Sequence, residues 1–243
     1  MKNTAIIIPA RLGAKRFPNK PLAEINNLPM LIHVLNRAKE SRVGEVFIAT
    51  PDNEILNLVK KNGGQCILTK DSHPTGSDRI YEAYLKKLNN KVDLIINLQG
   101  DMPNIKPQSI SKLEKLMRAN KPDIGTLASP LKDNEIKDKN VVKVQVESKL
   151  EENSFLIAKD FFREYDTDNK LKKIYHHIGI YAFTSIALTK YVNLARSKLE
   201  MERNLEQMRA LENNMIINVG LSSSAPLSVD TEEDLKKVSK EMI

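Results

Sequence analysis

Between Thr4 and Leu98, short aliphatic runs alternate with amphipathic helical stretches, and no other feature restricts the fold as strongly. Thr4-Ala-Ile-Ile-Ile8 is continuous, aliphatic and stopped by Pro9, which predicts a strand buried on both faces. Residues 30–41 then place Leu31, Val34, Leu35 and Ala38 on one helical face. Val46-Phe-Ile-Ala49 predicts a second strand, and Ile55, Leu58 and Val59 mark a helix closed by Gly63-Gly64. Cys66-Ile-Leu68 follows as a third strand, and a helix through Ile80 and Tyr84 leads to Val92-Asp-Leu-Ile-Ile-Asn-Leu98, the clearest buried strand. Doubly buried strands separated by helices need a sheet covered on both sides. The fold class is therefore α/β, a three-layer α/β/α, Rossmann-like arrangement with a mostly parallel central sheet.

Beyond about residue 120 the pattern loosens. Val141–Val146 alternates like a half-exposed strand, and His177–Phe183 predicts another. Glu151-Glu-Asn and Tyr165–Lys170 read as solvated loops between them. A long helix is expected through Leu199–Leu211, a strand through Met215–Val219, and a last helix after Asp230. The economical organisation is a single domain, 1–243, with a smaller inserted region within it.

The net charge of +7 raises nucleic acid as a partner, but the lysines are scattered beside acids, as in Lys112-Leu-Glu-Lys115. Without clustering or a recognition module, no nucleic acid is expected. The sole cysteine, Cys66, excludes an internal disulfide and a cysteine-based metal cluster. No apolar run approaches the roughly 20 residues needed to span a bilayer, so no membrane is expected. The opening residues are too short a run for a signal peptide, which makes the expected location cytoplasmic.

In open α/β sheets ligands collect at the carboxyl ends of strands. The first strand delivers Pro9-Ala-Arg-Leu-Gly-Ala-Lys-Arg-Phe-Pro-Asn-Lys-Pro-Leu22, with Arg11, Lys15, Arg16 and Lys20 in one loop. Convergent cations there suit a polyphosphate, although an ordinary basic surface loop would look the same. Neither a phosphate-loop motif nor a dinucleotide fingerprint is present. The strand ending at Leu98 runs into Gln99-Gly-Asp-Met-Pro103, where Asp101 offers a hard oxygen ligand of the kind magnesium takes, or simply begins a turn. Asp230 and Thr231 read as helix caps, a role compatible with metal ligation.

Taken in order, these segments resemble the 3-deoxy-manno-octulosonate (Kdo) cytidylyltransferases nearly end to end. The likeness rests on Ile8-Pro-Ala-Arg11 with Phe17-Pro-Asn-Lys-Pro-Leu22, Pro74-Thr-Gly-Ser-Asp-Arg79 and Asn97-Leu-Gln-Gly-Asp101. It continues through His177-Ile-Gly-Ile-Tyr181, Leu205-Glu-Gln-Met-Arg-Ala-Leu-Glu212 and Val229-Asp230-Thr231. The resemblance implies a nucleotidyltransferase fold with a CTP-binding core over about 1–130, a sugar-binding and dimerisation region over 131–220, and a C-terminal metal ligand and helix over 221–243. It implies that CMP passes from CTP to a 3-deoxy sugar acid, for lipopolysaccharide synthesis, in a homodimer using Mg2+. Arg11, Arg16 and Lys20 are assigned by it to the CTP phosphates. Ala10, Arg79 and Gln99 would read cytosine, with Thr75 and Gly76 shaping that pocket. Asp101 and Asp230 would hold the metal, and His177, Tyr181, Glu206 and Gln207 the sugar acid. Arg11, Lys20, Asp101 and Asp230 would be the catalytic set.

The chain departs from the family pattern in three places. Met102 stands where a glutamate is usual, Gly13-Ala-Lys15 lacks the loop's usual hydroxyl, and Ser154–Arg163 lacks the usual Ser-Arg pair. A sugar carboxylate needs a compensating cation, so Lys159 or Arg163 is expected to supply it, with Arg163 favoured for its bidentate fork. The same departures leave an amino-Kdo or sialic-acid-like substrate, or a non-catalytic CTP-binding protein, as alternatives.

Overall fold

The structure is a computed structural model that describes residues 3–13, 16–164 and 173–242. Lys15 and the expected loop at Tyr165–Lys170 lie outside the described residues. The chain forms two compact units, Met1–Ser111 with Pro226–Ile243, and Lys112–Ala225.

In the first unit the predicted alternation is realised. Strand β1 (Thr4–Pro9) precedes a hairpin of two short strands, β2 (Glu24–Ile25) and β3 (Leu28–Pro29), and helix α1 (Met30–Glu40). Strand β4 (Glu45–Thr50), helix α2 (Asn53–Lys61), strand β5 (Gln65–Leu68), helix α3 (Gly76–Lys87) and strand β6 (Leu94–Leu98) follow. The strands lie in the order β5-β4-β1-β6, and every one of these pairings is parallel. Ala5 to Ile8 and Leu94 to Leu98 are buried, as expected of central strands covered on both faces. Helix α4 (Pro107–Asn120) carries the chain out of this unit.

The second unit is where expectation and structure diverge. Strands β7 (Ile124–Pro130), β8 (Lys143–Val146), β9 (Phe155–Phe162) and β10 (Ile174–Thr184) are followed by helices α5 (Ser185–Val192), α6 (Lys198–Arg203) and α7 (Gln207–Glu212), then strand β11 (Ile217–Leu221). The order is β10-β7-β11-β9-β8, and only β11 with β7 is parallel. The mostly parallel sheet expected from sequence thus holds for the first unit, whereas the second is mixed. Because β7 pairs with β10 and β11, the first unit ends at Ser111, short of the expected boundary near residue 130. The single long helix expected through Leu199–Leu211 is two short ones. Asn204, at φ 51°, adopts the left-handed conformation that ends α6, and the turn at Leu205 restarts the chain as α7.

After β11 the chain returns to the first unit and ends in α8 (Glu232–Glu241), capped by Thr231. There Val229 and Val238 share a small core with Ile25 and Met30.

Candidate active site

The first unit gathers the charged candidates at the carboxyl ends of β1 and β6. The basic loop folds back on itself. Asn19, in the left-handed conformation at φ 57°, donates its N–H to the Leu12 carbonyl (3.1 Å) and leads into the short turn Lys20–Leu22. Asp52 secures the other limb, its Oδ2 accepting the Leu12 N–H at 2.9 Å. That anchor was invisible in the sequence, where Asp52 reads only as the residue before a helix.

So placed, Lys20 donates from Nζ to Asp101 Oδ2 at 3.1 Å and to Asp230 Oδ1 at 3.3 Å. Arg16 Nη2 pairs with Asp230 Oδ2 at 2.9 Å, in a more exposed position. The two acids come from segments more than a hundred residues apart, and the backbone joins them, since the Val229 N–H donates to the Asp101 carbonyl at 2.9 Å. Gly100 lets this turn approach β1, because a Cβ there would lie 3.2 Å from the Pro9 carbonyl oxygen.

Behind these groups, Arg79 is almost wholly buried on α3, its Nη1 donating to Thr69 Oγ1 at 2.7 Å and to the Lys70 carbonyl at 3.0 Å. Burial lowers its pKa, and the neighbouring positive charge of Arg11 lowers it further. Two guanidinium groups near enough to repel make a setting that an anion would relieve. Thr75 caps α3, accepting the Asp78 N–H and donating to Asp78 Oδ2. A Cβ on Gly76 would lie 3.3 Å from Pro9 Cγ and 3.9 Å from Gln99 Nε2, so helix start and strand end adjoin. Gln99 Nε2 donates to Asn97 Oδ1, and Ala10 is fixed by its N–H bond to the Ala49 carbonyl. Met102 is buried, so the position where a carboxylate is usual is here a core residue.

The second unit builds a different cluster on β10. The register of β10 against β7 shifts between Ile178 and Tyr181, so His177 faces Ala128 while Tyr181 faces Thr126. In a regular strand, residues four apart would be separated by about 13 Å. The bulge shortens that spacing and brings the His177 and Tyr181 rings to 5.3 Å between centroids. Phe161 meets His177 edge-on at 5.1 Å. Thr126 Oγ1 lies 2.7 Å from the Ile180 carbonyl, which takes its proton, and 3.0 Å from His177 Nε2, from which it therefore accepts.

Burial, with the neighbouring His176 adding to it, depresses the His177 pKa to about 3, so the imidazole is neutral at physiological pH. Burial likewise raises the Tyr181 phenol well above 10, with Tyr191 and Glu206 adding to the shift. Its hydroxyl is buried and finds no hydrogen-bond partner among the described residues. Such a donor is costly unless something binds it. Glu206 and Gln207 sit at the start of α7, Gln207 buried and Glu206 partly so.

Lys159 and Arg163 have other occupations. Lys159 pairs with Glu147 on the surface at 3.6 Å. Arg163 donates from Nη1 to the carbonyls of Lys139 and Asn140, both at 3.1 Å, while the buried Lys143 caps the Arg163 carbonyl at 2.8 Å.

Known proteins resemble the chain over nearly its whole length. A family model described as "Cytidylyltransferase" matches residues 5–217. A 3-deoxy-manno-octulosonate cytidylyltransferase of Bartonella tribocorum is 40% identical over 237 residues, covering 97% of this chain and 96% of the relative. One from Brucella ovis is 43% identical over 237 residues, covering 96% of this chain and 93% of its own. Among solved structures, CMP:2-keto-3-deoxy-manno-octonic acid synthetase complexed with CTP superposes with a TM-score of 0.89 at 33% identity, covering 98% of each chain.

Proposed function

The chain belongs to the 3-deoxy-manno-octulosonate cytidylyltransferases, and we propose that it transfers CMP from CTP to the anomeric hydroxyl of 3-deoxy-D-manno-octulosonate. The anomeric oxygen attacks the α-phosphorus, the bond from that phosphorus to the β-bridging oxygen breaks, and pyrophosphate leaves. The hydroxyl proton passes to solvent, so no dedicated base is required. The product is a building block of lipopolysaccharide.

The observation that carries this reading is Lys20 held between Asp101 and Asp230 at the ends of the central strands. Transfer of a phosphoryl-type group depends on positioning and on neutralising charge, and this cluster supplies both signs at one place. Arg11, Arg16 and Lys20 are the proposed partners of the triphosphate. Thr75, Gly76, Arg79, Gln99 and Ala10 form the proposed cytosine pocket.

The two carboxylates suit magnesium, and the Lys20 ammonium lying between them is a cation in the place such an ion would favour. No group of three or more His, Cys, Asp or Glu residues fit to hold a metal occurs among the described residues. Magnesium commonly takes one or two carboxylates and completes its shell with water and substrate phosphates. When bound, the ion would neutralise phosphate charge and acidify the attacking hydroxyl.

For the sugar acid, the proposed contacts are His177, Tyr181, Glu206 and Gln207. The unpartnered Tyr181 hydroxyl supports this, being a buried donor that a polar ligand would satisfy. Arg163 we reassign from the sugar carboxylate to the loop whose carbonyls it holds. A cytoplasmic homodimer remains the proposed working form, as the family resemblance implies. No helix among the described residues is long and apolar enough to cross a membrane.

The test is pyrophosphate release from CTP and Mg2+ with Kdo, an amino-Kdo and a sialic acid. Release with Kdo is expected. Turnover confined to another acid, or CTP binding without turnover, would replace this reading.

A further inference from the structure

Helices α6 and α7 each have six residues, too short to hold their own shape or position in water. Between them lies a feature the proposed chemistry does not use, an ion pair sealed from solvent. Arg209 donates from Nε to Glu200 Oε2 at 2.8 Å and from Nη2 to Glu200 Oε1 at 2.7 Å. Their side chains are 2% and 0% exposed. Arg196 adds a third bond to Glu200 Oε1 at 2.9 Å, and the Ser197 N–H a fourth to Oε2. Burial alone would raise the Glu200 pKa, but the bonds from Arg209 and Arg196 hold it below the usual carboxylate value.

The pair reaches one step further. The Arg209 guanidinium lies over the Tyr191 ring, 4.7 Å from its centroid. The Tyr191 hydroxyl in turn donates to the Glu206 carbonyl at 2.8 Å. That carbonyl also accepts the Arg209 N–H at 3.1 Å, so Glu206 is held from both sides by one network.

Stability alone does not call for this arrangement. A buried ion pair is often replaced by apolar residues of similar volume without loss, because desolvation offsets much of the attraction. A planar fork on a carboxylate does fix the relative position of the two backbones it joins, here across the break at Asn204. We propose that Glu200, Arg209 and Tyr191 are positioning residues that set Glu206 and Gln207 at the height and angle the sugar acid requires. This rests on the assignment of Glu206 and Gln207 to the sugar.

The test separates positioning from stability by steady-state kinetics and thermal unfolding. The double variant Glu200→Leu/Arg209→Met removes both charges together and is expected to keep a cooperative transition within a few degrees of the parent. Its Michaelis constant for the sugar acid should rise about tenfold or more while that for CTP stays within twofold. Arg209→Lys keeps the charge but loses the fork, and should fall between. Tyr191→Phe keeps the ring beneath Arg209 and removes the bond to Glu206, so it should raise the sugar constant about threefold. A double variant that folds and binds sugar like the parent overturns the proposal. Should the double variant fail to fold, an unchanged sugar constant in Tyr191→Phe overturns it alone. Gln207→Ala leaves the network intact and tests the underlying assignment. An unchanged sugar constant there removes Gln207 from the sugar site, whatever the other variants do.

Discussion

The two units solve opposite electrostatic problems. In the first, Lys20, Arg16, Asp101 and Asp230 neutralise one another in partly solvated positions, where exchanging partners is cheap. In the second, His177 is buried and Tyr181 half-buried with its hydroxyl enclosed, both among aromatic rings, and burial keeps both neutral across the physiological range. One cluster is made of charges ready to change partners, the other centres on two neutral groups with fixed hydrogen-bonding directions. A polyphosphate that arrives with a metal needs the former. Groups of fixed direction suit the hydroxyls of a sugar, while its carboxylate still calls for a cation or several donors.

The sharpest way to break this contrast is to remove charge from the first unit. Asp101→Asn is nearly isosteric and should lower kcat by roughly 10²–10³-fold with little change in unfolding temperature. Asp230→Asn should do the same, since Thr231, not Asp230, supplies the side-chain cap of α8. Wild-type turnover in either variant would take that acid out of the chemistry.

Acid should expose the second unit. Folding depresses the His177 pKa from 6.5 to about 3, so between those values the unfolded chain binds the proton more readily. The stability this group contributes is complete above pH 6.5 and lost as pH falls toward 3. At pH 4.5 the loss amounts to about 2–3 kcal/mol. Denaturant titrations at pH 7 and 4.5 should show His177→Phe, which keeps the ring against Phe161, less acid-sensitive than the parent. Equal sensitivity would mean the imidazole is not sealed.

Arg79 sharpens the comparison from within the first unit, because it is buried whereas Lys20, Arg16, Asp101 and Asp230 are partly solvated. A pocket that leaves a polar group unpaired with the wrong base costs about 1–3 kcal/mol. CTP should therefore exceed UTP in kcat/KM by at least tenfold. Comparable values would mean the pocket does not read the base.

The smallest effect expected is at Arg163. Removing its bonds to Lys139 and Asn140 should cost about 1 kcal/mol of stability. Arg163→Ala should leave the sugar constant within twofold. A selective rise in that constant would return Arg163 to the carboxylate.

The sequence disclosed the first unit far better than the second, and periodicity explains why. Strands such as Ile6–Ile8 and Leu94–Leu98 are apolar on both sides, a signal few other structures produce. Strand β9, by contrast, mixes Lys159 and Asp160 into an aromatic run, and β7 carries Gly125, Thr126 and Ser129. The break at Asn204 depends on one left-handed residue, which composition does not announce. The bulge joining His177 to Tyr181 is equally silent, since a register shift exists only between two strands. Nothing in the helical pattern of Leu199–Leu211 marks Glu200 and Arg209 as partners. Only the fold back at Asn204 brings them together, away from water. Thr126, which holds His177, could not have been paired with it before β7 and β10 were aligned.

One detail of the first unit bears on the order in which the protein matures. Asp230 reaches Asp101 because the segment from Pro226 onward returns to pack Val229 and Val238 beside Ile25 and Met30. A contact spanning most of the chain cannot form during synthesis until its later partner has left the ribosome. The carboxylate pair is therefore completed only after Asp230 has emerged, when the strands that hold its other half are already in place. A nascent chain that has not reached Asp230 has the basic loop but not its full counter-charge, and no turnover is expected before that residue has been made.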